Sequence, residues 1–152
     1  MPTPATDRTA AIDQVAETLL RRASQLGRLL LRAATGSLTR AEASLLATLT
    51  ERPHRITELA ETEALAQPTV TQLVDRLQQR GLVDRARSAS DGRVVLVSVT
   101  ERGRAELEGL RAEYRALLRD HVRSLSDADV AALLGATEAL GRVIDAVQAE
   151  AR

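Results

Sequence analysis

A chain of 152 residues, 44% hydrophobic and 28% charged, is long enough for one domain with a core, and its formal net charge of +0 argues against a uniformly basic nucleic-acid coat. The absence of cysteine excludes disulfides, a thiol redox switch and cysteine-based zinc sites. Every one of the 21 basic residues is arginine and aromatic residues make up only 1%, so single strands would find no stacking platform and any nucleic-acid target should be duplex.

The opening "MPTPATDRTA" is polar, so residues 1–9 are expected to be a flexible segment. No signal-peptide core follows Met1 and no apolar run reaches membrane-spanning length, which predicts a cytoplasmic protein without a membrane partner. Ile12, Val15, Leu19, Leu26 and Leu30 fall on one face of a long helix over residues 10–33, broken by "TGSL". Thr39 and Glu42 form a capping box ahead of Leu45, Leu46 and Leu49, predicting a second helix from about 40 to 50 that stops before Pro53. A short third helix is expected over 56–64. After the tight connection "LAQ", Pro68 is suited to be the first residue of a fourth.

In that fourth helix Val70, Leu73, Val74 and Leu77 follow the i, i+3, i+4, i+7 spacing of one buried stripe, with Gly81 as the stop. The opposite face carries Gln67, Thr69, Thr71, Gln72, Asp75, Arg76 and Gln79, whose hydroxyl, amide and guanidinium groups suit phosphates and base edges. A solvated outer face would show the same residues. The order of elements distinguishes the two: "RSASDGRVVLVSVT", residues 87–100, reads as a hairpin with a basic loop directly after this helix. Residues 68–104 hold seven arginines against four carboxylates, so the positive excess sits around that hairpin although the whole chain is neutral. Short helix, tight turn, polar-faced helix and hairpin together give a winged helix-turn-helix.

Residues 56–107 resemble the DNA-binding core of the MarR family of bacterial transcription regulators. The motifs are "PTVTQLVDRL" followed by "RGLVDR", the "DGR" of the loop, and "VSVTERG" leaving the second strand. The flanking helices fit the family by position and length. The resemblance implies a mainly α fold with a small two- or three-stranded antiparallel wing. It divides the chain into a dimerisation helix over 10–37, a DNA-binding lobe over 38–103 and further dimerisation helices over 104–152. It implies a pseudo-palindromic duplex as partner, contacted by Gln67, Pro68, Thr69, Thr71, Gln72 and Arg76 from the helix and by Arg87, Ser90, Asp91 and Arg93 from the wing. Arg93 is the guanidinium that the family inserts in the minor groove. Asp91 suits a bidentate pair with Arg93 or Arg87, and Gly92 the turn. Many relatives have a basic residue where Gln72 stands, so this chain departs from the family's pattern there.

Thr100 is a natural N-cap for a fifth helix, along which Leu107, Leu110, Tyr114, Leu117, Leu118, Val122 and Leu125 form a stripe. Ser126, with Asp129 three residues on, caps a sixth that lines up Val130, Leu133, Leu134, Leu140, Ile144 and Val147. Together with the first helix these present more apolar surface than one small domain can hide, which points to a homodimer. Relatives commonly hold small, often anionic aromatic effectors between the dimerisation helices and the DNA-binding lobe. Tyr114 is either a lining residue of such a pocket or part of the core. His54, expected in a loop, and His121, at the edge of the fifth helix, have no metal-ligand spacing, so no metal or cofactor is expected. No nucleophile with a partner base and no phosphate loop appears, so the chain is not expected to be an enzyme. The alternative is a dimeric ligand-binding or protein-interaction module whose winged helix does not read DNA.

Overall fold

A computed structural model describes residues 4–33, 38–87 and 93–150. In chain order these form α1 (Pro4–Ala33), α2 (Arg40–Leu49), α3 (Ile56–Thr62), α4 (Gln67–Gln79), β1 (Val83–Arg87), β2 (Val95–Val99), α5 (Glu101–Val122) and α6 (Asp127–Glu150). Packing divides the chain inside α5, into Met1–Tyr114 and Arg115–Arg152. The mainly helical fold with a small antiparallel wing agrees with the sequence.

The core lies in the first unit. Leu45, Leu46 and Leu49 of α2, Leu59 of α3 and the Val70, Leu73, Val74, Leu77 stripe of α4 close on Leu82, Val83, Val97, Leu107 and Leu110. The α2 N-terminus carries the expected box: the Thr39 hydroxyl accepts from the Glu42 backbone N–H at 3.3 Å, and the Glu42 carboxylate accepts from the Thr39 N–H at 2.8 Å. Helix α3 ends two residues earlier than its sequence pattern suggests. Ala64 takes a positive φ of 51°, and the Leu65 N–H reaches back to the Ala60 carbonyl at 3.0 Å, a Schellman ending with alanine where glycine is usual. The Glu63 carboxylate then ties this end to α2, accepting from Ser44 Oγ and Thr48 Oγ1, each at 2.6 Å.

Pro68 is the second residue of α4, since Ala66 is the N-cap and Gln67 the first. The shift is harmless, because none of the first four N–H groups of a helix has an intrahelical partner. The other end of α4 repeats the α3 ending, this time with the expected glycine: Gly81 has φ 71°, and the Leu82 N–H bonds the Leu77 carbonyl at 2.9 Å.

β1 and β2 pair antiparallel from Val83↔Val99 to Arg87↔Val95. The edge of β2 is extended by a single bridge, in which His54 and Val97 exchange backbone hydrogen bonds at 3.0 and 2.8 Å. At the start of α5 the Thr100 hydroxyl accepts from the Gly103 N–H at 3.0 Å and donates to the Gly81 carbonyl at 2.8 Å, joining the fifth helix to the end of the fourth. Gly103 permits this approach. A Cβ there would stand 2.1 Å from the Leu82 carbonyl oxygen, a backbone atom with no room to yield.

Helix α1 begins at Pro4, ahead of the residue 10 suggested by periodicity, so residues 4–9 are helical. Ile12, Val15, Leu19 and Leu26 from its stripe are all exposed. In the second unit, Ser126 caps α6 as expected, accepting from the Asp129 N–H at 3.2 Å. Helix α6 has no buried residue.

Candidate nucleic-acid interface

The buried stripe of α4 fixes which side of the helix faces outward. Gln67, Pro68, Thr69, Gln72 and Arg76 are exposed, as the helical period requires of residues off the stripe. Thr71 is half-buried on one flank and donates its hydroxyl to the Gln67 carbonyl at 3.0 Å, which leaves its oxygen as an acceptor. Ion pairs hold both edges of the helix. On one edge Arg85 of β1 reaches Asp75 at 2.6 Å and the Gln78 amide oxygen at 3.0 Å. On the other, Glu42 Oε1 lies 3.9 Å from Arg76 Nε and 3.5 Å from Arg80 Nη1. Asp75 therefore belongs to the wing contact more than to the outward face. Neither pairing was legible in the sequence, because the partners come from separate elements.

Arg87 ends β1 and Arg93 stands two residues before β2, so the loop begins and ends on exposed guanidinium groups. Ser90, Asp91 and Gly92 lie outside the described residues, and with them the expected pair between Asp91 and Arg93 or Arg87. Sequence reasoning missed Arg55. It lines a shallow groove of about 330 Å³ with Thr57, Arg93 and Val95, which puts a second guanidinium beside the wing. Glu58, in the first turn of α3, accepts from the Arg55 backbone N–H at 3.2 Å and pairs with Arg52 at 3.2 Å. That backbone bond is the main cause that holds the Glu58 carboxyl below the ordinary glutamate range; burial opposes it, and the Arg52 guanidinium adds to the lowering.

Tyr114 is partly buried and packs against the core cluster. A cleft of about 320 Å³ does open on α5, but its walls are Leu38, Arg102, Ala105, Glu106, Gly109, Leu110 and Glu113. His121 is exposed near the end of α5. His54 is only 5% exposed, and its Nδ1 lies 2.7 Å from the Arg52 carbonyl, to which it can only donate. Its part in the fold is to anchor the connection between α2 and α3 to the wing.

Residues 38–95 match the family model described as MarR family. Over 70 residues the chain is 39% identical to the HTH-type transcriptional repressor IacR of Pseudomonas putida, a match covering 45% of this chain and 42% of that one. The chain spans about half the length of the curated relatives it matches, from 42% to 52%. Solved structures match over more of the chain. A probable transcriptional regulator from Pseudomonas aeruginosa is 30% identical with a TM-score of 0.58, covering 86% of this chain and 98% of that one. A MarR family protein from Bacillus stearothermophilus is 26% identical with a TM-score of 0.67, covering 91% and 97%. The family model covers the helix-turn-helix and the wing as far as the first residue of β2, and the likeness to solved regulators continues through the flanking helices: residues 38–95 form a MarR family domain.

Proposed function

We propose that the chain is a homodimeric, sequence-specific duplex-DNA-binding transcriptional regulator, a repressor relieved by a small ligand. The observation that carries this reading is the outward face of α4. Its apolar side is fully occupied by the chain's own core, while Gln67, Thr69, Gln72 and Arg76 stay exposed next to a hairpin whose loop is bounded by Arg87 and Arg93. A helix held that way can lie in a major groove, with the wing arginine in the adjacent minor groove and Arg55 close to phosphate.

In this reading residues 38–103 form the reading lobe, and residues 10–37 and 104–152 make the dimer. Exposed apolar side chains on α1 and α6 support that division, since a soluble chain rarely leaves such stripes to water. Two-fold symmetry then requires a pseudo-palindromic site with half-sites about one helical turn, roughly 34 Å, apart. Relief by a ligand, the anionic aromatic kind included, belongs to the same proposal, with the α5 cleft that has Arg102 in its wall as its candidate site. A regulator of this type works by binding rather than catalysis, in the cytoplasm where the chromosome lies.

Retention on immobilised duplex over a salt series tests the proposal. The logarithm of affinity should fall linearly with the logarithm of salt. A chain equally indifferent to duplex at low and high salt would instead be a dimeric binding module that does not read DNA, a reading favoured by the neutral net charge.

A further inference from the structure

Glu42 is a charged residue only 5% exposed, set among core leucines. Its role in the α2 cap uses one oxygen: Oε2 accepts from the Thr39 N–H at 2.8 Å. The other oxygen serves a different helix. Oε1 faces two arginines of α4, Arg80 at 3.5 Å and Arg76 at 3.9 Å, and Arg80 in turn reaches Glu106 of α5 at 3.4 Å. Two carboxylates and two guanidinium groups from α2, α4 and α5 are thus linked along an edge of α4. A buried carboxylate is tolerated only when opposite charge and hydrogen bonds replace its water, so Glu42 constrains where both arginines can sit. Yet Arg76 is 55% exposed and lies on the outward face of the helix. The carboxylate therefore holds the inner side of a guanidinium that also meets solvent.

We propose that Glu42 is a positioning residue for DNA recognition, which touches no DNA itself but sets the pose of α4 through Arg80 and Glu106 and orients the Arg76 guanidinium. This rests on the reading of α4 as the recognition helix. An arginine paired with a carboxylate attracts phosphate less strongly, because its charge is partly balanced. It also enters the complex already oriented, with less side-chain freedom left to lose. The first effect weakens attraction to every duplex alike and leaves the ratio between duplexes unchanged; the second favours the duplex that matches the fixed geometry, and it is this one that raises discrimination.

Glu42→Gln separates this role from capping, since a glutamine carbonyl still accepts from the Thr39 N–H while the charge is gone. The full chain and the variant would be measured on a duplex that the full chain selects from a random pool, and on a scrambled duplex of the same composition. The proposal expects the variant's affinity for the scrambled duplex to rise and its preference for the selected one to fall about tenfold. Loss of both affinities by the same factor, or an unchanged preference, would mean Glu42 merely supports the fold and would overturn the proposal. Should Glu42→Gln fail to fold, Glu106→Gln decides: it leaves the α2 cap intact and removes the carboxylate paired with Arg80 at 3.4 Å, with a loss of preference of about threefold expected and none overturning the idea. If the full chain selects no duplex at all, the DNA-binding reading falls first and this proposal with it.

Discussion

Helices α4 and α6 carry apolar stripes written in the same 3.6-residue period, yet they end in opposite situations. The Val70, Leu73, Val74, Leu77 stripe of α4 is wholly buried within its own chain, whereas Leu133 and Ile144 of α6 remain 46% and 47% exposed. Periodicity says that a helix has one side to hide. It does not say whether the cover comes from the same chain. A helix already covered has its polar side to offer a partner, while a helix still uncovered offers its apolar side, and the two demand partners of different chemistry.

Substitutions can break that contrast. The largest effect is expected from Leu73→Ala, a cavity in the core of the first unit, which should remove about 2–5 kcal/mol of stability at every protein concentration, as read by denaturant unfolding. Leu133→Glu with Ile144→Glu, eleven residues apart and so on one line of α6, should act through association instead. Sedimentation should show dimer dissociation shifted to higher concentration by about 2–4 kcal/mol. A fall in stability independent of concentration would put these residues in the chain's own core. Thr69→Ala and Arg93→Ala should leave thermal stability within about 0.5 kcal/mol of the parent. Thr69→Ala should weaken binding to the preferred duplex, and Arg93→Ala should flatten the slope of log affinity against log salt by about one unit per subunit.

A smaller contrast lies within the helix-turn-helix. Helices α3 and α4 end in the same motif, but the left-handed position is Ala64 in one and Gly81 in the other. Alanine at positive φ is strained, so Ala64→Gly should stabilise by up to about 1 kcal/mol, offset in part by the freedom glycine gains in the unfolded chain. Thermal unfolding reads the difference. No gain would mean that contacts of the Ala64 methyl group compensate the backbone strain.

What the sequence made legible follows the same division. Signals contained in a few neighbouring residues were readable: the Thr39–Glu42 box, the α4 stripe, Gly81 as a stop, and the Thr100 and Ser126 caps. The end of α3 was not, because alanine carries no turn signal, yet Ala64 takes the positive φ at which the helix ends. The helical start at Pro4 was missed because a polar opening shows no stripe. Long-range pairings were also out of reach. His54 with Val97, Asp75 with Arg85, and Glu42 with Arg80 and Glu106 join residues whose spacing carries no periodic signal. For the candidate interface, the α4 face and the two ends of the wing loop were legible in the sequence, and packing added Arg55 and the ion pairs at the helix edges.

A chain that covers α4 itself and leaves α6 uncovered should use both kinds of surface at once, one for a second copy and one for duplex. Sedimentation equilibrium of the full chain, alone and with a duplex selected from a random pool, measures this directly. The prediction is a dimer at micromolar concentration and two chains bound per duplex, with complex formation weakening as salt rises. A well-behaved monomer, or a dimer that leaves the duplex unbound at low salt, would contradict it.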